Sequence, residues 1–435
     1  MRGRSCLSIG VDKEDNLAQI SGTWIAVLKQ FDQSMYFRLD LQRDQNRLMG
    51  KLDGEAFEGM LEGNFEGDRI TGIVKPNPSM TIQLQGTLLD DYIEGTGTLL
   101  EDKLALKWEA RRQEKRSIVL KTHEFEPTQF HHFFSAAIEP VLRMSPGDSV
   151  KTWSVDSRGM DSQGVRRTFG GNPLTGPFYV EGAFPGDTLL VHFDRIELNR
   201  ESAVSGSLIV NGALDTSYIE TRGKIDRHNS DWKLDLQGGF ASIAEPTESL
   251  KNYKVPLAPM LGCVGVAPAE GIRSRSGYLG AYGGNMDYNQ VCSGVTVYLP
   301  VFEPGALLFV GDGHAVQGAG ELTGSALETS MAIEFTVDLE KGGAPPNPRM
   351  ANAEYLMASG IAGSLEDAFR GATTNLARWI EKIYGLGAAE VSLVLGTSIS
   401  FDIAEVVDPQ LHVVAKIPKA LLHGLNKPNV TGAQN

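Results

Sequence analysis

The chain has 435 residues, with 54 acidic against 40 basic side chains and a formal net charge of −14. That acidity argues against nucleic acid or an anionic membrane as partner and leaves a small neutral substrate open. At about one domain per 100–200 residues, the length calls for roughly two to four domains.

The N-terminal segment, residues 1–17, carries Arg2 and Arg4 but no apolar stretch of signal-peptide length. No run in the chain approaches the ~20 apolar residues of a spanning helix, so a cytoplasmic protein is expected. Three cysteines, Cys6, Cys263 and Cys292, are too scattered for a metal knuckle and too few for a disulfide framework. They point to a reducing compartment, with Cys263 and Cys292 as buried thiols.

Residues 18–112 read as short alternating runs (TWIAVLKQF, MYFRLDLQ, RLMGKLDG and onward) punctuated by Gly, Asp or Asn. Such spacing predicts a small antiparallel barrel-like domain. Its recurrent glycines, Gly50 to Gly86, suit hairpin turns and bulges of a structural module, with a ligand-binding barrel as the alternative. No cluster of ionisable residues there carries chemistry.

Residues 113–129 read as a charged connector, and the basic group Arg111, Arg112, Lys115 and Arg116 as a solvated hinge with no partner. From 130 to 345 the pattern is mainly β, a sandwich- or barrel-like core broken repeatedly by Gly and Pro. Within it, Arg200 to Lys254 is polar and irregular, with SLIVNG and WKLDLQGG as its strand-like pieces, and reads as a loop excursion. Residues 346–435 read as an α+β portion of the core. Its helix spans Ser364 to Tyr384, with Leu365, Phe369, Ala372, Leu376, Trp379, Ile380 and Ile383 on one stripe, Ser364 as cap and Gly385 as stop. A short helix over Ala388 to Leu395 and strands SISFDIAEV and HVVAKIP follow.

The richest stretch runs from Gly283 to Glu328, where Asp287, Asp312, His314, Glu321 and Glu328 stand among glycines beside strand-like runs. Residues two apart on a strand share a face, so Asp312 and His314 are expected to project together into a cation or hydrolytic site. Other chemistries lack their residues. There is no G-x-S-x-G, H-E-x-x-H, paired C-x-x-C or phosphate-binding glycine loop, and Cys263, in MLGCVGV, has no acid or imidazole near it in sequence.

The blocks GGNMD, YLPV, PGAL, VGDGHA, QGAGE and ALE, with NPLTGPFYVEGAFPGDTLLV at 172–191 and MLGCVGVAPAEG at 260–271, resemble the acetamidase/formamidase family in content and order. The resemblance covers roughly residues 130–422. It implies hydrolysis of short aliphatic amides at a metal-associated cleft, by a cation-activated water and a carboxylate base. Mixed oxygen and imidazole ligands favour zinc, and an all-oxygen set would suit calcium. Carried over residue by residue, Asp287, Asp312 and His314 are the expected ligands, and Glu328 the base or a metal partner. Asn172 is expected to donate to the substrate oxygen, with a turn before Pro173 as its plain alternative, and Glu181 joins it as a catalytic candidate.

One departure stands out. His131 and His132 match a position where the family reads histidine followed closely by Trp-Asp, but Phe134 and Ser135 stand here. Asp156 or Asp161 would replace the lost acid, Asp156 and His132 completing the metal set, or both aspartates cap loop turns. The partner is a small amide, in a homo-oligomer, expected to be a dimer. A non-catalytic small-molecule-binding protein on the same scaffold, or a hydrolase of a larger amide, is the alternative function.

Overall fold

The structure, a computed structural model, describes residues 20–31, 33–54, 58–77, 79–113, 119–225 and 228–425. The chain divides into two units, Met1–Lys115 and Arg116–Asn435. The expected N-terminal segment, Cys6, Lys115 and Arg116 lie outside the described residues.

The first unit is a closed antiparallel barrel of eight strands, from Gly22–Gln30 to Leu104–Arg112. The last strand closes on the first through pairs from Trp24↔Arg112 to Lys29↔Lys107. Alternation turns Trp24, Phe37, Phe65 and Trp108 fully inward, and the interior is filled by the protein's own side chains. Several glycines make room for one of them. A Cβ at Gly86 would stand 2.6 Å from Trp108 Cζ2, and one at Gly95 2.4 Å from its Nε1. These glycines are therefore interior strand positions facing an indole, rather than turns or a ligand wall. Arg111 and Arg112 are also strand residues and not a hinge: Arg112 pairs with Asp91 at 2.8 Å and its guanidinium stacks 4.4 Å from the Trp24 ring.

The second unit is built on two sheets with an apolar core between them. The larger has nine strands, ordered from Ser400–Glu405 through Leu411–Pro418, Tyr355–Ala362, Arg349–Ala351, Thr296–Pro300, Thr188–Leu198, Met331–Glu340 and Ser149–Ser154 to Thr122–Glu124. That last strand falls inside the stretch read as connector. The smaller has six strands, with Leu308–His314 between Leu174–Val180 and Met260–Gly265. Leu308–His314 and Met260–Gly265 are buried along their whole length, so neither alternates between buried and exposed positions. Val191, Phe193, Val297, Val310, Phe335 and Val414 pack between the sheets.

The expectation of a loop over Arg200 to Lys254 is overturned. A four-stranded sheet occupies it, Ser202–Gly206, Asn229–Asp235, Phe240–Ile243 and Lys254–Pro256, with a short helix Thr216–Arg222. The SLIVNG piece, by contrast, is not a strand. Its strands are short and half-exposed, which weakens their periodic signal, yet they close on a small apolar cluster of Ala203, Leu234 and Ala241.

The helix Leu365–Tyr384 forms as expected. Ser364 accepts from the Asp367 amide, and Gly385 sits at φ 64° in the left-handed region. Its buried stripe is Ala368, Ala372, Leu376, Trp379 and Ile380, whereas Leu365 and Phe369 stay exposed. The next helix, Ala388–Ser398, runs three residues beyond the expected Leu395. None of the described helices is long and apolar enough to cross a membrane.

Candidate active site

The antiparallel pairing of Met260–Gly265 with Leu308–His314 places Gly262 opposite Asp312, between the pairs Leu261↔Gly313 and Cys263↔Gly311. Asp287 follows the strand Gly283–Asn285 on the other side of Met260–Gly265. Glu328 pairs with His314 through one bridge and with Val204 through another, so the sheet at 202–256 holds it in place.

These elements bring Asp287, Asp312, His314, Glu321 and Glu328 together, all of them buried. Ligand atoms of Asp287, Asp312 and His314 lie within 4.8 Å of one another, as do those of His314, Glu321 and Glu328. The backbone is strained here. Asn172, Asp287, Asp312 and Glu321 have φ of 53°, 42°, 58° and 45°, values that non-glycine residues rarely adopt and that concentrate at functional sites.

Hydrogen bonds satisfy one half of each polar group and leave the other half open. Asn285 donates from Nδ2 to Asp287 Oδ2 and to Asp408 Oδ2. Asn172 Nδ2 donates to Asn285 Oδ1 at 3.0 Å and to Asp312 Oδ2 at 2.8 Å. The Cys263 thiol donates to the same Asn285 oxygen at 2.9 Å. Gln317 uses its amide nitrogen on the Asp287 and Ala404 carbonyls, so its Oε1, 2.9 Å from His314 Nδ1, accepts a proton held on that nitrogen.

Four buried atoms are left without a partner: Asp287 Oδ1, Asp312 Oδ1, His314 Nε2 and Glu328 Oε2. The imidazole nitrogen lies 3.5 Å from the Asp312 oxygen and 3.4 Å from the Glu328 oxygen. With Nδ1 protonated, Nε2 presents either a lone pair against two carboxylates, which repel it, or a second proton. A shared cation removes the conflict. Gly262 packs against the same side chains, since a Cβ there would stand 2.4 Å from Asp287 Oδ1, 2.7 Å from Asp312 Oδ2 and 3.0 Å from His314 Cε1, where a larger residue would displace them. The residues therefore fit a divalent cation held by oxygen and imidazole, without fixing which metal.

Electrostatics agree. Burial would keep His314 neutral, but the carboxylates of Glu328 and Asp312 override it and push its pKa well above the ordinary value. Burial, with Glu321 beside it, raises Asp287 far above the usual carboxylate range. Asp312 is pushed up to about 6 by burial and by Glu328. Glu321 is raised well by burial, whereas Glu328 is lowered because the His314 charge outweighs its burial. Two further acids border the cluster, Glu405 raised to about 7 and Asp408 to about 6, both by burial first.

The other candidates are tied to other partners. Asp156 is consumed by Arg200 at 2.8 Å and by the Arg158 and Met160 amides, and Asp161 by Arg167 and the Gln163 and Val165 amides. Both are loop anchors. His132 bonds the Phe169 carbonyl at 3.0 Å. Glu181 pairs with Arg143 at 3.1 Å, beyond the end of Leu174–Val180 opposite to the one that meets Gly311. Asn172 is at the site, but both its amide hydrogens are spent on Asn285 and Asp312, so it orients Asp312 and has none left for a substrate oxygen.

Sequence reasoning missed Asn285, Gln317, Cys263, Glu405 and Asp408. Asn285 had a signal, as the centre of GGNMD. Cys263 reaches its acid across the sheet, 3.7 Å from Asp312 Oδ2, and burial holds its pKa well up, so it stays a thiol. Cys292 is only partly buried.

The chain is similar to known proteins in sequence and in fold. Residues 280–423 match the model of the acetamidase/formamidase family. The chain is 31% identical to an acetamidase of Mycolicibacterium smegmatis over 139 residues, 27% of this chain and 34% of that protein. It is 24% identical to a putative formamidase of Schizosaccharomyces pombe over 257 residues, 43% of this chain and 60% of that protein. It thus spans less than two thirds of either relative. Among solved structures, an acetamidase from Yersinia enterocolitica has TM-score 0.60 and 29% identity, covering 71% of this chain and 94% of its own. A predicted acetamidase/formamidase from Thermoanaerobacter tengcongensis has TM-score 0.60 and 27% identity, covering 71% and 99%. The resemblance read from the motifs stands, in sequence and in fold, with the N-terminal barrel beside it.

Proposed function

We propose that this protein hydrolyses short linear amides of the formamide and acetamide type to carboxylate and ammonia, at a cation site formed by Asp287, Asp312 and His314. One observation carries the reading: Asp287, Asp312, His314 and Glu328 each keep one buried polar atom without a partner, and their ligand atoms fall in two overlapping groups, each within 4.8 Å, that share His314. The named relatives supply the substrate class.

A bound divalent cation, zinc by its ligand chemistry, supplies Lewis acidity at the amide carbonyl and acidifies water. The chain's own residues do the rest. Glu328, whose Oε2 has no partner, takes a proton from the attacking water. Glu321, which burial keeps protonated, gives a proton to the leaving nitrogen, so that ammonia departs. Glu328 and Glu321 thus divide the roles of base and acid. Proton return from Glu328 to Glu321 resets the pair, whose ligand atoms lie within 4.8 Å. Asn285, Asn172 and Gln317 orient the ligands, and burial excludes bulk water.

The test is ammonia release from formamide, acetamide and propionamide by the metal-analysed protein, before and after chelation. Release that stops on chelation and returns with zinc supports the reading. No release from any of the three amides by fully loaded protein rejects it.

A further inference from the structure

A second feature lies away from this cluster, on the face of the nine-stranded sheet covered by the helix Leu365–Tyr384. A cavity of about 330 Å³ opens there, bordered by Tyr298, Arg349, Trp379, Lys382, Lys419 and Glu340. Three of these residues are cationic and one is acidic.

Arg349 is the anchor. It is only 7% exposed, and Asn375 takes Nε at 2.7 Å through its side-chain oxygen and Nη2 at 3.2 Å through its carbonyl. Its third nitrogen, Nη1, has no partner among the described residues, and no carboxylate there forms an ion pair with it. The guanidinium stands 5.3 Å from the centre of the Trp379 ring, and Tyr298 meets that ring edge-on at 5.3 Å. Burial pulls the Arg349 pKa down to about 10, with Glu340 opposing it. Buried arginines are ordinarily paired, because leaving one alone forfeits its hydration for nothing.

Other donors at the cavity are free as well. Lys382 forms no ion pair or hydrogen bond among the described residues, while Lys419 reaches only the Asn352 carbonyl. The Tyr298 hydroxyl and the Trp379 indole nitrogen likewise have no acceptor there. Leu356 and Ile383 give the same cavity an apolar wall.

We propose that this cavity is a binding site for a small organic carboxylate, its carboxylate seated on Arg349 and Lys382 and its apolar body against Trp379, Leu356 and Ile383. The planar guanidinium suits a carboxylate by geometry, and the volume exceeds what a bare inorganic ion needs. The single acid, Glu340, leaves the lining with a net positive charge. The site shares no residue with the Asp287–Asp312–His314 cluster, so it does not depend on the amidase reading.

Calorimetric titration of the full-length protein with sodium benzoate tests it, against sodium chloride at equal ionic strength and against inorganic phosphate. Saturable binding of benzoate, absent with chloride, is expected. Lys382→Glu, on an exposed helix position, should weaken it at least about tenfold, and Arg349→Lys, which keeps the charge but loses the fork, about as much. No benzoate heat in the wild type, or an unchanged affinity in Lys382→Glu, would overturn the proposal. Binding of phosphate but not benzoate would overturn it too, by removing the apolar contact.

Discussion

Asn172 Nδ2 stands 2.8 Å from Asp312 Oδ2, while the other oxygen of Asp312 faces His314 Nε2 at 3.5 Å with no partner. One oxygen is tied back and the other is offered. Asn172→Leu, which keeps the volume and removes the donor, strands the tied oxygen. A loss of about 1–3 kcal/mol in stability is expected, read from the denaturant midpoint. Cation affinity should fall by roughly 10–100-fold, as for other groups that orient metal ligands.

Gly262 packs against the ligand side chains. Gly262→Ala would set a methyl 2.4 Å from Asp287 Oδ1 and 2.7 Å from Asp312 Oδ2. Cation binding is expected to disappear while the far-ultraviolet dichroism stays that of a β protein, at a stability cost of about 1–3 kcal/mol. Retained stoichiometric binding would show that the cation sits elsewhere.

The pair Glu181 and Glu328 separates family position from geometry. Glu328→Gln should lower turnover by about 10²–10⁴-fold, the usual size of a general-base contribution. Glu181→Gln, at the far strand end beside Arg143, should leave turnover near wild type. Equal losses would contradict the assignment of Glu328.

Acidity should act in opposite directions with and without cation. Asp312 and Asp408, raised to about 6, and Glu405, raised to about 7, bind protons more tightly folded than unfolded. Without cation, their contribution to stability is full below the ordinary carboxylate pKa and is lost as pH rises through about 6 to 7. With cation, the ligands must be ionised, so the added stabilisation grows over the same range. Melting temperature against pH, with and without zinc, should therefore give curves of opposite slope between about pH 4.5 and 7. Parallel curves would count against proton–cation competition.

Much of this was legible in the sequence, for identifiable reasons. The barrel announced itself by alternation and glycine punctuation, and the helix Leu365–Tyr384 by its cap and stop residues. Asp287, Asp312, His314 and Glu328 are legible because acids and an imidazole stand among glycines and strand-like runs, in blocks that resemble those of the acetamidase/formamidase family. Strand alternation accounts for Asp312 and His314 only in part, since Asp312 departs from strand geometry at φ 58° and neighbouring strands complete the convergence. Asn285, Gln317 and Cys263 are neutral, and their meaning lies in partners far along the chain, as in the bond from Asn172 to Asn285. Asp156 misled because a buried aspartate next to an arginine only the fold supplies, Arg200, looks in sequence like a free ligand.

The most direct test is an anomalous difference map from crystals of the zinc-loaded protein. A single strong peak coordinated by the carboxylates of Asp287 and Asp312 and the imidazole of His314, with zinc distances of about 2.0–2.2 Å, is the predicted result. Fully occupied zinc bound elsewhere, with those three side chains unligated, would contradict it.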